Sequence, residues 1–291
     1  MRLMMSCPHA GLGIATIDKK GLNFELLHPT ASMLDAHAGL APMQIPALYA
    51  LWVYGGRDLC VIDHRGKVIV RVILPPIAGE TPQPPLIWDY HGCFVGETCV
   101  YVVNTIQASI FRFNHDWKLL ETWSCFPDPG EVPYDPVHLN CCWEWQGRLY
   151  TTAFLDPTNG VPEPEAWRKE SAGVITLWKN GKPEVVMDGF SDPHNVQIFG
   201  IEGMVCDSIK SDLVVIERHQ NGWRRQKTYH FERGYARGLC CTRQGVFVGL
   251  SGSRSHPQQH AELALIEPGG NLQKWQLPVR EVFDIIEVKD V

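Results

Sequence analysis

Four residues able to bind a metal, move a proton or grip an anion recur along the chain: His91, His138, His194 and Arg237, spaced by roughly 45 to 55 residues. Each opens a short β-branched or aromatic run, and a second such run ends about 13 or 14 positions later, at Asn104, Thr152, Asp207 and Ser251. Three imidazoles brought together can offer a three-nitrogen site with open positions, suited to one divalent metal ion that activates water or polarises a carbonyl. Without a metal, the same rings can act as general acid and base. As structural groups they would instead hydrogen-bond a neighbouring backbone and lock it. Arg237, in Tyr235-Ala236-Arg237-Gly238, carries a planar fork that matches a carboxylate, sulfate or phosphate; its structural alternative is a salt bridge to Glu281 or Asp207.

Positioning these groups requires a repeated unit. Most segments are short and end in Gly, Asn, Asp or Pro, the pattern of strands and tight turns. Runs at 98–103, 148–154, 204–207 and 246–250 each follow a turn-forming pair such as Gly96-Glu97 or Gln146-Gly147, as the second strands of hairpins do. Two further strands follow each hairpin, so the period holds four strands, the blade of a β-propeller. An earlier period, with its innermost strand near 38–43, adds a fifth blade. Strands at 12–17 and 22–27, joined by a last strand at 280–288, complete a sixth. The expectation is an all-β protein, a single domain over residues 1–291: a six-bladed β-propeller closed by its C-terminal strand pairing with the N-terminal blade, which removes open sheet edges.

In such a blade the start of the innermost strand and the end of the second meet at one mouth of the channel. That mouth is expected to receive His91 with Asn104 and Thr105, His138 and Asn140 with Thr152, His194 and Asn195 with Asp207 and Ser208, then Arg237 with Ser251 and Arg254, and Glu281 or Asp284 from the closing strand. Concentrating groups this polar at one end is costly unless they pair or bind something. Asn140 and Asn195 could orient a ligand or stitch blades together. The Pro- and Glu-rich stretch 156–171, with Trp167-Arg168, interrupts a blade beside that mouth as a candidate lid or a solvated loop.

The totals narrow the classes. Hydrophobic residues make up 45% of the 291, enough to bury a core, and the net charge of −6 with scattered basic residues argues against nucleic acid and anionic membrane as partners. Apolar runs fall short of the roughly 20 residues a spanning helix needs, and Pro8 and His9 interrupt the N-terminus before a signal-peptide core forms. A cytoplasmic protein is expected. The ten cysteines include no C-x-x-C and are read as reduced, buried small hydrophobes.

The ordered series resembles a bacterial propeller family known as a domain of unknown function. It is carried by His91 with Asn104-Thr105, by His138-Leu139-Asn140 before a Thr-Ala strand, and by Trp167-Arg168, Pro193-His194 and Asp207-Ser208. Arg237-Gly238-Leu239, Gly249-Leu250-Ser251 followed by Arg254, and Glu281-Val282-Phe283-Asp284 complete it, over about residues 88–288. Where that family usually has His-Asp, this chain has His91-Gly92. A more distant likeness to virginiamycin B lyase and the gluconolactonase-like propellers implies lyase or hydrolase chemistry at one mouth.

The resulting expectation is a small-molecule enzyme of lyase, isomerase or hydrolase type acting on an acidic substrate. His138, His194, Arg237 and Glu281 are its catalytic candidates, and Asn140, Asn195, Asp207, Ser251 and Arg254 its substrate contacts. His91, His138 and His194 are the candidate metal ligands. The rival from another class is a non-catalytic propeller that binds a ligand or partner protein through the same mouth, and a third is a scaffold whose polar ring only ties blades together.

Overall fold

The computed structural model describes residues 1–29, 40–43, 50–54, 58–74, 90–127, 134–169, 172–252 and 259–288. Its strands follow the hairpin rhythm of the sequence. They begin with β1 (Arg2–Cys7), β2 (Gly11–Asp18) and β3 (Gly21–Pro29), then β4 (Leu40–Pro42), β5 (Ala50–Tyr54), β6 (Asp58–Ile62) and β7 (Val68–Ile73). Next come β8 (Tyr90–Val95), β9 (Val100–Asn104), β10 (Ser109–Phe113) and β11 (Leu119–Ser124), followed by β12 (Cys141–Trp145), β13 (Arg148–Ala153), β14 (Gly173–Lys179) and β15 (Lys182–Phe190). The chain continues through β16 (Pro193–Phe199), β17 (Glu202–Asp207), β18 (Asp212–His219) and β19 (Gly222–His230) to β20 (Tyr235–Thr242), β21 (Gly245–Ser251), β22 (Glu262–Ile266), β23 (Leu272–Gln276) and β24 (Asp284–Val288).

These form six four-stranded antiparallel sheets, each a run of consecutive strands except the first, whose order is β24-β1-β2-β3. The innermost strands β4, β8, β12, β16, β20 and β24 contact one another in cyclic order, β24 touching both β20 and β4. Between each neighbouring pair of sheets lies one apolar cluster. Met4, Leu12 and Ile14 meet Cys60 and Ile62; Leu59 and Val61 meet Val100 and Val102; Tyr101 and Ile110 meet Leu149 and Val174. Around the ring, Tyr150 and Ile175 meet Val205 and Val214, Cys206 and Leu213 meet Val248 and Ala264, and Phe247 and Leu263 meet Leu3 and Ala15. The core is thus a set of wedges between faces rather than one central mass, the arrangement of a β-propeller.

The sequence reading of the first blade lacks a strand. β1 stands between the closing strand and β2, with Met4 opposite Ile286 on one side and Ile14 on the other. Leu3, Met4 and Met5 are fully buried, so the run carries no apolar–polar alternation, the signal that marks a half-buried strand. The closing strand also begins at Asp284 rather than 280, and the innermost strand of the second sheet is Leu40–Pro42.

The inner strands β8 and β12 approach closely at Gly92. A Cβ placed there would lie 2.5 Å from the Asn140 carbonyl oxygen and 2.8 Å from the Cys141 Cα, so an aspartate at this position needs a wider gap between two blades. We expect Gly92→Ala to lower stability by roughly 1–3 kcal/mol, the usual cost of overpacking, read as a lower urea midpoint. An unchanged midpoint would show that the blades separate freely here.

Candidate active site

The four periodic residues meet at one mouth, where the inner strands begin. β8, β16 and β20 each carry a register shift at this end, spanning Tyr90/Cys93, His194/Gln197 and Arg237/Leu239; such bulges re-aim side chains. They turn His91, His194 and Arg237 onto Phe283, just before β24. The His91 and His194 ring centroids lie 5.2 and 5.9 Å from that of Phe283, and the Arg237 Cζ 5.4 Å from it. His138 packs edge-on against His91 at 5.0 Å. His138 and Asn195 sit at positive φ, 49° and 50°, as do Asp135 and Asp192, a conformation non-glycine residues hold only where their surroundings impose it.

His138 is oriented by a residue the sequence reading missed. Its Nδ1 lies 2.8 Å from Asp135 Oδ2, which also accepts from the Trp167 indole at 3.0 Å. An ionised carboxylate only accepts, so Nδ1 carries the proton and Nε2 is left as the basic nitrogen. The signal that could have found Asp135 is the Asp-Pro shortly ahead of two of the three histidines, Asp135-Pro136 before His138 and Asp192-Pro193 before His194.

His194 reaches the same tautomer by another route. Ser208 Oγ donates to the Ala236 carbonyl at 2.6 Å and therefore accepts from His194 Nδ1 at 2.9 Å. Burial first, then the nearby Arg237, His138 and His91, hold the His194 pKa well below the ordinary histidine value, so this ring is neutral at pH 7. Two basic nitrogens, one backed by a carboxylate and one kept uncharged, thus share the mouth.

Arg237 pairs through Nη2 with Glu281 and through Nε with Ser251 Oγ, 3.2 Å away. Aromatic rings close the space around it: Tyr235 packs on both Arg237 and His194, and Phe154 lies 4.3 Å from the His138 ring. A turn of 3₁₀ helix, Ala166–Arg168, brings Trp167 to 4.5 Å from His138, so this turn of the 156–171 stretch lies against the site.

The residues assigned as substrate contacts are tied into the frame around the site. Asn140 is fully buried; its amide donates to the Pro193 and His138 carbonyls and accepts from Thr152. Asp207, also fully buried, accepts from the Ser191 amide and Lys210. Ser251 is bonded to both the amide and the carbonyl of Val282. Asn195 accepts from the Gly238 amide at 2.8 Å and donates to Asp284 at 3.1 Å. Asn140 and Asn195 join blades and Ser251 ties its blade to the segment leading into β24, because inner-strand ends carry backbone groups that must be satisfied where sheets do not pair, whereas Asp207 is bonded within its own blade and the connection leading into it. Arg254 lies outside the described residues.

The sequence reading also offers His91, His138 and His194 as ligands of one divalent metal ion. Among the described residues no group of three or more His, Cys, Asp or Glu side chains is arranged to hold a metal ion. The Nδ1 atoms of His138 and His194 are committed to Asp135 and Ser208, and the Phe283 ring packs against both His91 and His194. The ten cysteines are all free thiols, nine of them buried. No described helix is long and apolar enough to cross a membrane.

No curated protein matches the chain in sequence. Among solved structures it is similar to a protein of unknown function from Bacteroides caccae, with a TM-score of 0.65 and 13% identity over 98% of this chain and 97% of that one. It is also similar to the calcium-binding protein regucalcin from Agrobacterium tumefaciens, at 0.58 and 14% over 89% and 80%. A luciferin-regenerating enzyme aligns at 0.58 and 10% over 85% and 78%. Identities this low speak for the fold and not for the chemistry. The sequence itself is more specific: residues 87–276 match the model of one family, and the chain belongs to that family, described as Domain of unknown function (DUF4915).

Proposed function

We propose that this protein is a ring of six blades working as a small-molecule enzyme of lyase, isomerase or hydrolase type, with a histidine base at one mouth and an acidic substrate. The carrying observation is the 2.8 Å contact between Asp135 and His138. A carboxylate behind an imidazole fixes its tautomer and stabilises the imidazolium formed when Nε2 takes a proton. His194, held neutral with its Nδ1 proton on Ser208, offers Nε2 to accept a hydrogen bond from substrate, and the proton taken by His138 returns from His138 itself. An acidic group of the substrate would replace Glu281 on Arg237, exchanging one carboxylate for another at the same guanidinium. Trp167 and Phe154 keep water from the His138 ring, which strengthens each of these interactions.

This reading uses Nε2 of His138 and His194 for proton transfer and hydrogen bonding, and routes no step through a divalent metal. Cytoplasmic residence is supported by ten free thiols, the usual state of cysteine in a reducing compartment.

The test is turnover, followed by mass spectrometry, of a panel of lactones, hydroxy acids, and phosphate and sulfate esters. With a substrate in hand, Asp135→Asn should lower kcat/KM by about 10²-fold or more, within the range for general-base catalysis, and narrow its pH profile. Stabilisation of the protein by panel members with no product formed would instead establish a binding module.

A further inference from the structure

A second site lies behind the first, inside the ring. A cavity of about 210 Å³ follows the central axis past the inner strands β4, β8, β12, β16, β20 and β24, far more than the roughly 30 Å³ one water takes up in the liquid. Its lining is buried at the histidine end, at Gly92, Cys141 and Asn195, and half-buried at the far end, at Phe94, Trp143 and Phe199. The cavity therefore opens toward the face opposite the histidines. Its inner end is formed by Asp284 and Asn195, hydrogen-bonded at 3.1 Å between strands that are not neighbours in the ring.

The walls are apolar side chains and thiols, and the charged groups among the described lining residues are Asp284 and Glu287, both acidic. Asp284 accepts from the amides of Leu40 and Ile285 and from Asn195, but among the described residues it makes no ion pair. A carboxylate at the inner end of a cavity, with three hydrogen-bond donors but no cation opposite it, gains from a positive charge brought into that cavity. Asp284 is half-buried and lines the cavity. Consistent with that, desolvation raises its pKa from 3.8 to about 7.

We propose that this cavity binds a small apolar ammonium ion, admitted from the face opposite the histidines, with its charged head on Asp284 and its hydrocarbon body beside Phe94, Trp143 and Phe199. The head gains a charge-assisted hydrogen bond, and aromatic faces near the entrance favour a cation in transit. Thiols suit the body, since each behaves as a small hydrophobe; the Cys141 thiol, pushed up to about 12 chiefly by burial, is uncharged.

The probe is 4-bromobenzylammonium, compared by calorimetry at pH 8 with 4-bromobenzyl alcohol, which has the same body and no charge. The ammonium should bind the wild-type protein roughly tenfold to a hundredfold more tightly than the alcohol, the worth of one hydrogen bond to a charged group. Asp284→Asn should remove that preference, whereas His138→Gln, at the other mouth, should keep it even if the enzymatic reading fails. Should Asp284→Asn not fold, crystals of the wild-type protein soaked with the probe should show the bromine peak inside the channel. Equal affinity for ammonium and alcohol, a preference surviving in Asp284→Asn, or bromine found only outside the channel would each overturn the proposal.

Discussion

A chain cut before Asp284 should fail to give a cooperative unfolding transition and should elute as aggregate. The lost strand carries Ile285, Ile286 and Val288, all buried, and each fully buried aliphatic side chain contributes about 1.5–3 kcal/mol. It also removes the five-residue pairing with β1 and the contacts of β24 with β4 and β20. Together these approach the 5–15 kcal/mol that typically separates a folded domain from its unfolded chain. The bared edge of β1 is, moreover, an apolar strand with open hydrogen-bonding groups, a template for intermolecular pairing. A synthetic peptide of residues 280–288 added during refolding should restore part of the transition. A truncated protein that melts cooperatively as a monomer would show that the ring does not depend on this closure.

The second large effect is on the pH dependence of stability. Asp284 has a folded-state pKa near 7 against 3.8 for an ordinary aspartate, so between these values the folded protein binds a proton that the unfolded chain has released. Its contribution is fully present below about pH 4 and is lost as the pH rises through 7. His194 works in the other direction. Its pKa is depressed below 6.5, so its contribution is present above that value and is lost as the pH falls.

The two oppose each other between about pH 4 and 6.5, and the wild-type profile there should be flatter than either group would produce by itself. Asp284→Asn removes one partner. The stability of the wild type minus that of the variant should rise by a few kcal/mol on going from pH 8 to pH 4, measured by urea unfolding at each pH. A difference that does not change with pH would mean that Asp284 titrates as a surface carboxylate does.

The blades were legible because each hairpin carries its own turn signal, and a four-strand period leaves a regular trace in the chain. The histidines were legible as members of that period, and the meeting of His91 and His194 on Phe283, with His138 against His91, follows from where inner strands begin. Less legible was whatever depended on neighbouring blades. Asn140, Asp207 and Ser251 have the residue types of a binding site, yet their partners include backbone groups of other segments, which spacing along one chain does not reveal. Asp135 escaped notice because it precedes β12 in an irregular stretch, and its partner Trp167 arrives from an insertion with no periodicity. The β-bulges that aim His91, His194 and Arg237 leave no residue signature beyond Gly238. β1 was missed for the opposite reason, being apolar on both faces and therefore without pattern.

The distribution of thiols has a practical consequence. Every sheet holds at least one that is shielded from solvent: Cys7, Cys60, Cys93, Cys141, Cys206 and Cys240 each come from a different one. With burial also suppressing the reactive thiolate, an alkylating reagent too bulky for the axial cavity, which Cys93, Cys141 and Cys240 line, can modify these sulfurs only when the local wedge opens. Mass spectrometry of timed alkylation would therefore read out the opening rate of each segment of the circle separately, without introducing a label. The order in which masses appear would reveal where the circle first comes apart.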